Sequence, residues 1–293
     1  MSSKSTPRVI LITGSSSGFG KLLVEVALAN GDNVVATLRK PEVLKELQDQ
    51  TPADRLLVLK LDVTKREDII NAFAKAKEKF GRVDAVYNNA GYAMNSAIET
   101  TPDDAARAIF ETNFWGAVHV SQEAVRFFRE ENPSGAGGRL VVVNSLAGLI
   151  GIPVVGFYSA SKFALEGITH ALAGEIDPNW NIKITIVEPG NFRTRGSNPA
   201  ETTLIPFPES YSAPTTGLSQ VMAKITAHAG PGVKTGDARK GIQKMYDLLS
   251  LENPPIRLFL GAEAHLAMVR AHLDSIIADL EAYQSWSADL LED

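Results

Sequence analysis

Short apolar runs and amphipathic stretches alternate along the first two thirds of the chain, and the period of each predicts its element. Val9 to Thr13, Asn33 to Leu38, Leu56 to Leu61, Val83 to Asn88, Arg139 to Asn144 and Lys183 to Glu188 are short and largely apolar, which predicts strands. Between them, apolar positions recur at helical spacing. Leu22, Leu23, Val26 and Ala27 precede Asn30-Gly31, and Ile69, Ile70, Phe73 and Ala76 lie in a helix from Lys65 to Phe80 that Gly81 stops. Pro41 opens a further helix to about Gln50. Thr101-Pro102-Asp103 reads as the cap of one long helix through about Arg129, and Ser159 to about Glu175 forms another. Strands alternating with helices in this way indicate βαβ units, right-handed crossovers and a parallel sheet covered on both faces.

The regularity lapses after Gly190. Residues 191–236 contain five prolines and several Ser/Thr clusters, too long a stretch for a neutral connection, so a substrate-binding lid or an insertion with short helices is expected there. Asp237 to Ser250 returns to helix, Ile256 to Leu260 supplies a last strand, and Glu263 to about Tyr283 forms a C-terminal helix. The apolar stripe of that helix, Leu266, Val269, Leu273, Ile276 and Leu280, suits core or subunit contact. No linker interrupts the chain, so residues 1–293 are expected to form a single α/β domain with a sheet of about seven strands.

Composition narrows the chemistry by exclusion. There is no cysteine among the 293 residues, which removes disulfides, thiol nucleophiles and thiolate metal sites. The histidines at 119, 170, 228, 265 and 272 show no ligand spacing, so no metal is expected. A net charge of −5 with scattered basic residues gives no face for nucleic acid. The polar start, MSSKSTPR, lacks a signal or transit pattern, so a cytoplasmic location is expected.

Candidate chemistry begins directly after the first strand. Gly14, Gly18 and Gly20, with Ser16, Ser17 and Phe19 between them, stand where a strand turns into a helix. Glycines there let the backbone approach a pyrophosphate, and the helix N-terminus favours the anion. The same letters match G-x-S-x-G with Ser16 as a hydrolase nucleophile, but this is the first strand, so no earlier oxyanion loop exists. At the end of the second strand, where an adenosine ribose would be read, stand Thr37, Leu38, Arg39 and Lys40. With two cations and no carboxylate there, NADP(H) is favoured over NAD(H); a plain basic surface turn is the alternative.

From Leu140 through Ser161 the chain has no charged residue, and Lys162 follows. A membrane span would fit the length, but Asn144, Ser145, Pro153 and the glycines at 148, 151 and 156 break the run into strand, loop and helix start. Core and active site remain. Tyr158 precedes Lys162 by four residues, which puts both on one helix face.

Taken with Thr13 to Gly20 (TGSSSGFG), Asn88 to Gly91 (NNAG), Asn113, and Pro189-Gly190 with Thr194, the set resembles the short-chain dehydrogenase/reductase family. The likeness is to its single-domain branch, with carbonyl-reductase and 17-beta-hydroxysteroid-dehydrogenase-like members, and covers about residues 8 to 195. The resemblance implies a three-layer, Rossmann-type, doubly wound fold and interconversion of a carbonyl compound and its alcohol. It implies Tyr158 as general acid or base, Lys162 as the cation that lowers the tyrosine pKa and binds the nicotinamide ribose, Ser145 on the substrate oxygen, and Asn113 holding a relay water. For the cofactor it implies Gly14, Ser16, Ser17, Gly18, Phe19 and Gly20 on the phosphates, Arg39 on a 2′-phosphate, and Asp62 and Val63 at the adenine. Asn89, Ala90 and Gly91 would lie by the ribose, and Pro189, Gly190, Phe192 and Thr194 by the nicotinamide. A homodimer or homotetramer is implied too. A non-catalytic NADP-binding sensor is the rival from another class, against which the full Asn113, Ser145, Tyr158 and Lys162 set speaks. Phe192, Leu204, Phe207, Tyr211, Leu146, Val155 and Phe157 suggest an apolar substrate pocket.

Overall fold

The computed structural model of the chain describes residues 6–192, 203–213, 215, 217–228, 236–288 and 290. Its strands are β1 (Val9–Thr13), β2 (Asn33–Leu38), β3 (Leu56–Lys60), β4 (Ala85–Asn88), β5 (Met94–Asn95), β6 (Gly138–Val143), β7 (Ile182–Pro189), β8 (Thr203–Leu204) and β9 (Arg257–Leu260). The helices are α1 (Gly18–Ala29), α2 (Lys45–Gln50), α3 (Arg66–Phe80), α4 (Asp103–Phe110), α5 (Ala117–Glu130), α6 (Gly156–Glu175), α7 (Gly217–His228), α8 (Ala238–Asp247) and α9 (Glu263–Tyr283).

Seven strands form one sheet in the order β3-β2-β1-β4-β6-β7-β9, every adjacent pair parallel. Alternation within each strand feeds two cores. Val9 and Leu11 join Val35, Val86, Leu140 and Val142 against Phe73 of α3, Phe127 and Phe128 of α5 and Leu165 of α6. Ile10 and Ile12 join Val34, Ala36, Tyr87 and Val141 against Leu23 of α1 and Ile242 and Met245 of α8. Each such buried aliphatic side chain contributes roughly 1.5–3 kcal/mol of transfer free energy. The result is the three-layer doubly wound sheet expected. Because the chain winds outward from β1 to β3 and then returns to place β4 beside β1, a crevice opens over the carboxyl ends of those two strands.

Two features of one helix differ from expectation. The long helix predicted after Thr101 is two helices joined by a π-helical turn at Glu111–Gly116. Thr101 does not cap it: its hydroxyl bonds back to the Ala97 carbonyl at 2.7 Å, and Asp103 and Asp104 meet the helix dipole instead. The extra residue of the π turn carries Asn113 inward, where two backbone bonds to Tyr92 hold it. Of the apolar stripe of α9 only Val269 is buried among the described residues, while Leu273, Ile276 and Leu280 are exposed.

The segment expected to be a lid is tied down at points along its length. At its base, Phe192 pairs with Gly236, and the Gly236 N–H donates to the Asn191 carbonyl at 3.0 Å. Further along, β8 pairs in parallel with β5, and the Ile205 N–H donates to the Asn95 carbonyl at 2.9 Å. No helix of the described residues is long and apolar enough to cross a membrane.

Candidate active site

The turn after β1 is built by glycine geometry. Gly14 has φ +71°, in the left-handed region, and a Cβ there would meet Ala90 Cα at 2.9 Å. A Cβ on Gly20 would meet the Gly14 carbonyl oxygen at 2.3 Å. The backbone is thus packed too closely for side chains, leaving an open cradle at the N-terminus of α1 that suits a pyrophosphate. Thr13 fastens this loop to the next: its Oγ1 accepts from the Asn89 and Ala90 N–H groups at 2.9 and 3.0 Å. Asn89 returns a bond from Nδ2 to the Thr13 carbonyl at 2.8 Å, so its amide braces two loops.

One cleft of about 1290 Å³ runs from this turn across the carboxyl ends of the strands, wider than the roughly 300–1,000 Å³ of ordinary single-ligand pockets. Gly14, Ser16, Ser17, Gly18, Phe19, Arg39, Asp62, Val63, Asn89, Ala90, Gly91, Ser145, Tyr158, Lys162, Pro189, Gly190 and Phe192 all line it. Gly20 and Asn113 stand behind the wall, and Thr194 lies outside the described residues. Of the apolar residues expected around a substrate, Phe192 alone lines the cleft; Leu146 is buried in the protein and Leu204 is largely exposed. Tyr92, Ala93, Met94, Ala105, Ala108, Glu111, Thr112 and Thr203 line the cleft as well. Their polarity is mixed, a consequence of α4 and β8 meeting the strand ends, which no local pattern announces. Among the described residues no histidine lines the cleft beside Ser16.

Beyond β3, Asp62 accepts from the Thr64 N–H and hydroxyl at 3.1 and 2.8 Å. Burial pushes its carboxyl upward, but those bonds, with the charges of Arg39 and Lys65, hold it below the ordinary carboxylate value. Arg39, Lys60 and Lys65 with Asp62 and Asp68 line a small side pocket there. Cations outnumber carboxylates in it by three to two.

At the other end stand the hydroxyls. β6 ends at Val143, and Ser145 opens the next turn, its Oγ accepting from the Ala147 N–H at 3.2 Å. Tyr158 and Lys162 come from the first turns of α6. Tyr158 is half-buried and lines the cleft, its hydroxyl within hydrogen-bonding reach of Ser145. Burial pushes the phenol upward, and Glu188 adds to the rise, while the Ser145 bond opposes it. The expected lowering by Lys162 does not appear: its Nζ lies 6.0 Å from the Tyr158 ring centre and donates to the Val143 carbonyl at 3.0 Å. Burial lowers the Lys162 ammonium to about 8, with Glu188 opposing. Asn113 has both Nδ2 hydrogens committed, to the Tyr92 carbonyl at 2.9 Å and Ser161 Oγ at 3.2 Å. Among the described residues no group of histidines and carboxylates could hold a metal ion.

Asn144, Glu166, Glu188 and Arg257 form a polar cluster directly behind Lys162. Their one sequence signal is a glutamate next to last in a largely apolar strand, Ile182–Pro189.

The architecture and its motifs agree with known proteins. Residues 8–204 match the family model described as short chain dehydrogenase. An uncharacterised oxidoreductase of Schizosaccharomyces pombe is 35% identical over 302 residues, spanning 99% of this chain and 94% of its own. A 3-ketodihydrosphingosine reductase of Bacteroides thetaiotaomicron is 37% identical over 188 residues, 64% of this chain and 65% of its own. A solved short-chain dehydrogenase of Streptomyces avermitilis superposes with a TM-score of 0.83 at 32% identity, covering 99% of this chain and all of that one. A turn of packed glycines, a serine, tyrosine and lysine lining the far end of the same cleft, the family model over residues 8–204, and two matches spanning 99% of the chain lead to one assignment: the chain belongs to the short-chain dehydrogenase/reductase family of oxidoreductases.

Proposed function

We propose that this protein is an NADP(H)-dependent oxidoreductase that interconverts a carbonyl compound and its alcohol by hydride transfer, with Tyr158 as general acid or base. The observation that carries the reading is the meeting of Ser145, Tyr158 and Lys162 in the cleft that begins at the glycine cradle. Gly14, Ser16, Ser17, Gly18, Phe19 and Gly20 would hold the pyrophosphate, Arg39 a 2′-phosphate, and Asp62 and Val63 the adenine. Asn89, Ala90 and Gly91 would flank the ribose, and Pro189, Gly190, Phe192 and Thr194 the nicotinamide, which supplies or accepts the hydride when bound.

The protein's own part is proton chemistry. Ser145 would hydrogen-bond the substrate oxygen and so set its place beside Tyr158. A buried phenol held above its ordinary value keeps its proton at neutral pH, the state that donates to a carbonyl oxygen during reduction. The charge left on the tyrosine would be met by Lys162, one helical turn away. With its amide committed, Asn113 would serve a proton relay through its main chain. The ketone reductase among the relatives supports a carbonyl substrate, and residues 191–236 are the candidate lid, of which 193–202, 214, 216 and 229–235 lie outside the described residues. The exposed Trp115, Phe163 and Ile168 support a homodimer or homotetramer, and a cytoplasmic site of action fits the composition.

The test is turnover of a panel of ketones, aldehydes and alcohols with NADP(H) and NAD(H) in parallel. The wild-type chain should act on at least one pair with NADP(H) preferred. Tyr158→Phe should lose at least about 100-fold in kcat while cofactor affinity stays nearly constant. Undiminished turnover in Y158F sinks the mechanism.

A further inference from the structure

Behind the catalytic groups lies a carboxyl that the chemistry above does not use. Glu188, next to last in β7, has no exposed surface. Its Oε1 accepts from Asn144 Nδ2 at 3.0 Å, and the same nitrogen lies 3.3 Å from Glu166 Oε2. Glu166 Oε1 takes Arg257 Nε at 2.5 Å. Glu188 Oε2 is buried and meets no donor, yet the Glu166 carboxyl lies within hydrogen-bonding reach of the Glu188 carboxyl.

Two carboxyls so close, away from water, do not both ionise. Arg257 and Asn144 stabilise the anion on Glu166, whereas Glu188 has the Asn144 amide alone on one oxygen. A proton on Glu188 replaces the repulsion of two like charges around the shared Asn144 amide with a hydrogen bond between the two carboxyls. Asn144 is then gripped by both acids, and it sits between Val143, whose carbonyl holds Lys162, and Ser145, which reaches Tyr158.

We propose that Glu188 is a positioning residue of this active site, a buried neutral acid that donates a hydrogen bond to Glu166, grips Asn144, and thereby fixes the strand end that presents Val143 to Lys162 and Ser145 to Tyr158. Its kinetic consequence rests on the oxidoreductase reading; its protonation state and its effect on the cleft do not. The groups facing it are Glu166, Lys162 and Tyr158 from α6, Asn144 from the end of β6, and Arg257 of β9 through Glu166. From α9, His265 packs on Gly190 two residues further on. Burial, with Glu166 beside it, pushes the Glu188 carboxyl up to about 9, while Asn144 and Lys162 pull the other way. Neutrality also serves the tyrosine, because a charge on Glu188 pushes the Tyr158 phenol further up.

Infrared titration, NADPH affinity by fluorescence and pH profiles of alcohol oxidation, on the full chain with Glu188→Gln and Glu188→Ala, test this. The wild type should show the carbonyl stretch of a protonated acid at neutral pH, fading as pH rises past about 9 and missing from E188Q. E188A should weaken NADPH binding about 5-fold, lower kcat about 10-fold and shift the apparent pKa of the catalytic base. E188Q, which can accept from Asn144 and donate to Glu166, should recover all three to within about 3-fold or a few tenths of a pH unit. The proposal is overturned if the wild type lacks the band, if E188A matches wild type, or if E188Q falls as far as E188A. Should E188A not fold, the band and the E188Q comparison decide. Should the wild type turn over no carbonyl or alcohol, the oxidoreductase reading fails, and the band and NADPH affinity still decide the place of Glu188.

Discussion

Lys162 Nζ donates to the main-chain carbonyl of Val143 at 3.0 Å, so the buried cation of the site is anchored by a strand end and not by a carboxylate. Burial holds its pKa at about 8, below the ordinary 10.5. Between those values the unfolded chain binds the proton that the folded chain has released, so this group makes stability rise with pH across that window. Below about 8 the charged form is present in both states and its full burial cost applies. Lys162→Met keeps much of the length and removes the titration. In thermal unfolding scans, the stability of K162M relative to wild type should be greatest near neutral pH and fall as pH rises from about 8 to 10.5. Parallel curves for the two proteins would contradict the buried, depressed lysine.

Arg39 stands at the mouth of the side pocket it shares with Lys60 and Lys65. If it meets a 2′-phosphate through charge-assisted bonds worth roughly 1.5–3 kcal/mol, Arg39→Ala should raise the KM for NADPH by about 10- to 100-fold. The KM for NADH should change little. Steady-state kinetics with both cofactors measure this directly, and an equal loss with each would assign Arg39 to the adenine or to the surface.

Phe192 is wedged where glycines leave room for it. Its ring lies edge-on to Phe19 of the phosphate turn at 5.4 Å between centroids, and a Cβ on Gly236 or Gly241 would meet it at 2.5 and 2.7 Å. Phe192→Ala should cost about 3 kcal/mol in denaturant unfolding, as expected for emptying an aromatic site. Because one of its neighbours is the phosphate turn, cofactor affinity should fall several-fold as well. Loss of stability with unchanged affinity would show the two ends of the contact to be independent.

Much of this protein is written locally. The β-branched runs from Val9, Asn33, Leu56 and Lys183 became strands within two residues of the expected bounds, and Gly81, at φ +76°, stops α3 as its position predicts. Gly14, Gly18 and Gly20 announced a cradle because only glycine tolerates that turn, and four-residue spacing put Tyr158 and Lys162 on one face of α6. Such signals depend on neighbours a few residues apart, which a sequence displays directly.

What the tertiary structure alone decided is who meets whom across the sheet. Asn113 lies in a π-helical turn because Tyr92, 21 residues earlier, offers its backbone to the amide. Leu146 and Leu204, apolar and near the motifs, miss the cleft, while Ala93, Met94, Ala105 and Ala108 reach it. The tyrosine expected to be lowered by its lysine is raised, because the phenol is buried and Glu188, 30 positions away in sequence, stands behind it. Desolvation and long-range pairing sum over atoms that the fold brings together, and no window of neighbouring residues contains that sum.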